Sequence, residues 1–109
     1  MMDDKSTLYL LQILDAINKI QTTSDGLGAA AYHNHEIKWV VERGLEIIGE
    51  AIKRLKDYQP ELDIPNAQKI IATRNKIAHE YEMVDPDILY SIVNRHLPLL
   101  KDFVTQRVQ

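Results

Sequence analysis

The stretch Ile37-Lys38-Trp39-Val40-Val41-Glu42-Arg43-Gly44-Leu45-Glu46-Ile47-Ile48-Gly49-Glu50-Ala51-Ile52-Lys53-Arg54-Leu55 decides the fold class. Ile37, Val40, Val41, Leu45, Ile48, Ile52 and Leu55 recur at steps of three and four, the spacing that gathers one face of an α-helix. The pattern predicts a helix from about Asn34 to Asp57. Gly44 and Gly49 interrupt it. A glycine inside a helix costs roughly 1 kcal/mol against alanine. The two glycines therefore either mark a close approach of another helix or are simply tolerated.

Working outward, three more helices and no convincing strand emerge. Leu10, Ile13, Leu14, Ile17 and Ile20 form one apolar face of a helix expected from about Ser6 to Gln21, with Asp3, Asp4 and Ser6 as candidate caps. Thr22 to Ala31 has the composition of a loop. A third helix is expected to start near Asn66 as N-cap, after a connection from Tyr58 to Pro65, with Ala67, Ile70, Ile71, Ile77 and Ala78 facing inward. Asp85-Pro86 pairs a capping residue with a proline at the first helical position. It opens a fourth helix running to about Gln106. Ile88, Leu89, Ile92, Val93, Leu100, Phe103 and Val104 are its inward residues, and Pro98 is expected to kink it. Helices joined by short connections imply an all-α, antiparallel four-helix bundle, with up to five helices. No linker or repeat divides residues 1–109, so a single domain is expected.

Composition narrows the function classes. The chain has no cysteine, which removes disulfides, thiolate chemistry and cysteine zinc sites. Its formal net charge of −3 argues against strong non-specific nucleic-acid binding but not against a small basic site. No apolar run reaches the ~20 residues of a membrane helix, and the start Met-Met-Asp-Asp-Lys lacks a secretory pattern. A cytoplasmic protein with no membrane contact is the expectation.

The chemical signal is Arg74-Asn75-Lys76-Ile77-Ala78-His79-Glu80-Tyr81. Arginine offers a planar, permanently charged fork for phosphate oxygens. Histidine gives and takes protons near neutral pH. Tyrosine supplies a hydroxyl. Together they suit cleavage of RNA, in which the 2′-hydroxyl attacks the adjacent phosphate and neither a metal nor another cofactor is required. The plainer reading is a helix end with an ion-paired Arg, a surface His and a packed Tyr. Geometry adds a constraint. Arg74 and Tyr81, seven positions apart, share a helix face, whereas His79 is roughly 140° from Arg74 at 3.6 residues per turn. Either the helix distorts or ends near Ala78–Tyr81, or a second subunit brings its own motif opposite.

The segment RNKIAHEY with Val84-Asp85 resembles the signature of the HEPN superfamily, most fully its HepT-like toxin branch. Val41 to Ala51 and Leu97-Pro98-Leu99-Leu100 are also similar to that branch, and the resemblance extends from about Leu8 to Phe103. Many members have a tryptophan after the proline where this chain has Asn66. The resemblance implies a four- or five-helix bundle that forms a homodimer with paired motifs in a cleft. It also implies a toxin that cleaves RNA, neutralised by an antitoxin of minimal nucleotidyltransferase fold that adds AMP to the motif tyrosine. Carried over by residue, Arg74 holds the phosphate, His79 transfers the proton, Tyr81 is modified and Asn75 supports. The alternative is a non-catalytic adaptor, or a nucleotide- or substrate-binding subunit beside a nucleotidyltransferase. The intact Arg/His/Tyr set favours the nuclease, and the acidic charge favours the adaptor.

Other groups carry weaker signals. His33, His35 and Glu36 could suggest a metal site, but the two histidines fall on different sides of a helix, so a solvated helix start is the better reading. Lys53, Arg54, Lys56, Lys69 and Lys76 form either a basic rim for RNA or an ordinary solvated face. Glu50 either faces the motif across the bundle or pairs with an arginine. Tyr32 and Trp39 belong to a dimer interface or to the core.

Overall fold

The computed structural model describes residues 3–79 and 84–109. All regular elements among them are helical: α1 (Asp4–Ser24), a 3-10 turn (Ala29–His33), α2 (His35–Tyr58), α3 (Ala67–His79), α4 (Pro86–Ser91), a π turn (Ile92–His96) and α5 (Leu97–Val108). The fold is the expected helical bundle, with the last predicted helix divided in two.

Local chemistry explains most boundaries. Asp3, not Ser6, caps α1: its carboxylate accepts from the Ser6 backbone N–H at 2.7 Å. That bond holds the Asp3 carboxyl below its ordinary pKa. Ser6 is instead buried inside the helix, and its hydroxyl accepts from Gln59 Nε2 at 3.2 Å. At the other end α1 outlasts the expected stop at Gln21. Ser24 keeps its hydroxyl satisfied by donating to the Ile20 carbonyl at 2.7 Å, so a polar tail stays helical. Asn34, near the expected start of the second helix, caps α2, its Oδ1 accepting from the Glu36 and Ile37 N–H groups at 3.0 and 3.2 Å. Asp85 caps α4 by accepting from Asp87 N–H at 2.9 Å, with Pro86 leading the helix.

Asn66 departs from its expected role. It precedes α3, and its carbonyl accepts from Ile70 N–H at 3.0 Å. Its backbone, however, is left-handed, with φ of 60°, rather than the extended form of a capping asparagine. Asparagine tolerates that conformation better than most residues, which suits this sharp turn after Pro65.

The Ser6–Gln59 bond ties the start of α1 to the end of α2, while Ile20 near the end of α1 faces Gly44. The two helices therefore run antiparallel. Leu10, Ile13, Ile17 and Ile20 from α1 meet Val41, Leu45, Ile48, Ile52 and Leu55 from α2 in one core. Ile70 joins from α3, and Leu89, Ile92, Leu97, Leu100 and Val104 join from the C-terminal segment. Tyr32 is fully buried there, with its ring edge-on to Tyr90 at 5.4 Å. Trp39 is not core: 62% of it is exposed. Ala78 and Ile88, expected inward, are also exposed, while Thr73 takes a buried place on α3 by donating its hydroxyl to the Lys69 carbonyl.

Both interior glycines mark close helix approach. A Cβ on Gly44 would lie 2.5 Å from Ile20 Cδ1, and one on Gly49 would lie 2.5 Å from Arg74 Cβ. The second case is the more severe, because a Cβ moves only with its backbone. Gly49→Ala would gain about 1 kcal/mol of helix propensity, but overpacking costs about 1–3 kcal/mol. A net loss of stability is expected, read as a thermal midpoint lower by several degrees. An unchanged or higher midpoint would show that α2 and α3 can separate freely.

Candidate active site

Arg74 sits midway along α3 on the side that meets α2. Its aliphatic stem packs against the open face of Gly49, leaving its side chain 23% exposed. The guanidinium is held from two sides. Nη2 lies 3.1 Å from Glu50 Oε2, across the α2–α3 contact. Nη1 donates to Asn75 Oδ1 at 3.1 Å. Nε is buried and has no hydrogen-bond partner among the described residues. Glu50 thus both faces the motif and pairs with its arginine, so the two roles weighed from the sequence coincide. The other Glu50 oxygen, Oε1, lies 3.6 Å from Arg54 Nη2. That second pair is one turn apart on the exposed side of α2, a geometry that contributes only about 0.3–0.5 kcal/mol.

Glu50, Arg54 and Arg74 line an open groove of about 270 Å³ with Gln12 of α1 and Arg43, Glu46 and Ile47 of α2. A guanidinium fixed at the wall of such a groove suits an anion, since Arg74 needs little reorganisation to offer its free N–H bonds.

His79 is exposed, and α3 remains helical through it. Five positions after Arg74, it lies about 140° around the helix. One chain therefore turns Arg74 toward α2 and His79 away from it. Lys69 and Lys76, seven positions apart, share another stripe of α3 and line a groove of about 420 Å³ with Ile88 and Ser91 of the next segment. The cations weighed as a basic rim do not gather in one place: Arg54 belongs to the Arg74 groove, and Lys69 and Lys76 to the α3–α4 groove. Tyr81, the third motif residue, lies outside the described residues.

The remaining candidates resolve more simply. His33 ends the 3-10 turn and His35 begins α2, both exposed. Among the described residues, no three His, Asp or Glu side chains come together as a metal site. Among them also, no helix is long and apolar enough to cross a membrane. Sequence reading missed Lys38, which continues the Val41–Leu45 stripe and is 5% exposed. Its ammonium lies 3.7 Å from Glu42 Oε2. The periodicity could have flagged it, because Lys38 stands three and seven positions before those two core residues.

A family profile described as Ribonuclease HepT-like matches residues 13–107. The chain belongs to the HepT-like ribonuclease family. Three proteins of Methanocaldococcus jannaschii are similar to it, all named provisionally as RNases. MJ1380 is 30% identical over 95 residues, covering 85% of this chain and 87% of that protein. MJ0125 is 32% identical over 101 residues, covering 91% and 85% respectively. For MJ1216 the identity is 31% over 101 residues, with 91% of this chain and 82% of that protein covered. No solved structure matches the chain. The match places the Arg74 groove inside a HepT-like domain and agrees with the resemblance read from the motif segments.

In this HepT-like domain Arg74 is tied to the fold, among the described residues, by one tertiary ion pair and by the packing of its stem. Such a pair contributes about 1 kcal/mol or less. Arg74→Ala is therefore expected to stay folded, with a cost of about 1 kcal/mol in chemical denaturation. A much larger loss would make Arg74 a structural residue first.

Proposed function

We propose that this protein is a metal-independent endoribonuclease acting as the toxin of a toxin–antitoxin pair. The observation that supports the reading best is the Arg74 guanidinium, held by Glu50 and Asn75 at the wall of an open groove in a chain of a ribonuclease family. Arg74 takes the scissile phosphate and offsets charge that builds on its oxygens. The ribose 2′-oxygen attacks phosphorus, the bond to the 5′-oxygen breaks, and a 2′,3′-cyclic phosphate and a 5′-hydroxyl result. His79 moves the proton between the attacking and leaving oxygens, and Asn75 holds the clamp.

The angle between Arg74 and His79 supports a homodimer, in which Arg74 of one copy works with His79 of the other. Tyr81 is the proposed switch. An antitoxin of nucleotidyltransferase fold would transfer AMP from ATP to its hydroxyl and release pyrophosphate. The added phosphate and its bulk would occupy the place of substrate and set a negative charge beside Arg74.

Cleavage of RNA by the purified protein in the presence of a chelator tests the core of the reading. His79→Ala and Arg74→Ala should each slow it about 10²–10⁴-fold, and RNA with a 2′-deoxy sugar at the cut site should resist. RNA left intact by the wild type would remove the nuclease and leave the adaptor.

Mixing the two inactive variants tests the shared cleft. A mixed dimer with trans sites keeps one complete Arg74–His79 pair, so activity returns on mixing. If each chain uses its own pair, the mixture stays inactive. Mass spectrometry of the protein co-expressed with a nucleotidyltransferase partner should find AMP on Tyr81, and an unmodified tyrosine under effective neutralisation would remove the switch.

A further inference from the structure

We propose that Arg54 is a second phosphate-binding residue of the RNA site and that Glu50 is the positioning residue that couples it to Arg74; this rests on the RNA reading above. One carboxylate joins the two guanidinium groups, Oε2 facing Arg74 at 3.1 Å and Oε1 facing Arg54 at 3.6 Å. Arg54 and Arg74 come from different helices yet line the same groove, with Arg43 on its wall as well. Three arginines against two glutamates make this a locally positive place on a chain whose formal charge is −3. RNA carries a phosphate on both sides of every ribose. A strand whose scissile phosphate rests on Arg74 therefore has a neighbouring phosphate to place nearby.

The two arginines are held differently. Arg74 has its stem against Gly49, Glu50 on one nitrogen and Asn75 on another. Among the described residues Arg54 has only the longer contact to Glu50, and its side chain is 58% exposed. It can exchange that carboxylate for a phosphate oxygen without disturbing the fold. Arg74 fixes the reacting phosphate, and Arg54 adapts to the next one. The Glu50 charge orients both groups while opposing any anion nearby, so it favours geometry over tight binding of the ground state.

Steady-state cleavage of a fluorescein-labelled single-stranded RNA, together with its binding followed by anisotropy across a salt series, tests the proposal. Arg54→Ala should raise KM about tenfold with kcat within about twofold. It should also lower the slope of log affinity against log salt by about one. Lys53→Ala, an exposed neighbour outside the groove, should change neither. Glu50→Gln keeps an oxygen for Arg74 without the charge, and should lower KM while leaving kcat within about twofold. Glu50→Ala removes both and should lower kcat.

Arg54→Ala behaving like Lys53→Ala overturns the Arg54 assignment, and equal kcat in the Gln and Ala variants overturns the Glu50 role. Wild-type protein that binds RNA without cutting it defeats the nuclease reading alone, because the salt slopes still decide Arg54. Wild-type protein that binds no RNA overturns the proposal itself.

Discussion

At Gly49 the backbone of α2 comes so near α3 that a Cβ would lie 2.5 Å from Arg74 Cβ, and the geometry of the site follows from that approach. The stem of Arg74 lies across the missing side chain. The next residue, Glu50, is thereby brought into range of the guanidinium. Had the helices stood a methyl group further apart, the carboxylate would fall short of a 3.1 Å contact. Gly44, five positions earlier, lies about 140° around the same helix and faces Ile20 of α1. Thus α2 presents one bare patch to α1 and one to α3, and sets its spacing from both.

An acidic chain proposed to act on RNA has to localise its positive charge. Here the groove at Arg74 gathers arginines from α2 and α3, while Lys69 and Lys76 stand on a different stripe of α3. Glu50 stands between Arg54 and Arg74 and offsets part of their mutual repulsion. It also holds Arg74 in place before any anion arrives. Such preorganisation costs some affinity for phosphate and gains orientation. Net charge, which argued weakly for an adaptor, is therefore a poor guide to a site this small.

Much of this was legible in the residues. The 3.6-residue periodicity located the long helices, and Asp85 marked the start of the last segment, because capping is decided by groups two or three positions apart. Family membership was legible in the motif segments. Several of the failures depend on partners distant in sequence. Ser6 reads as a cap until Gln59 reaches it from α2. Lys38 reads as a solvated charge until the bundle closes over it. Ala78 and Ile88 have the period of a core face but are exposed among the described residues. Glu50 was recognisable as a candidate, but only the contact at Gly49 determines which arginine it meets.

The π turn at Ile92–His96 has a consequence for the architecture. Its wider ring takes up an extra residue, with Leu97 N–H reaching back to the Ile92 carbonyl, just before Pro98, which has no N–H to offer. One residue taken up in a wider turn sets everything after it back by about 100° of azimuth. Leu89 of α4 and Leu97 of α5, eight positions apart, would stand about 80° apart on an unbroken helix and fall within about 20° of one line after that offset; both join the core. The insertion thus keeps one stripe of the last segment turned inward, with α4 against the 3-10 turn and α5 against α1.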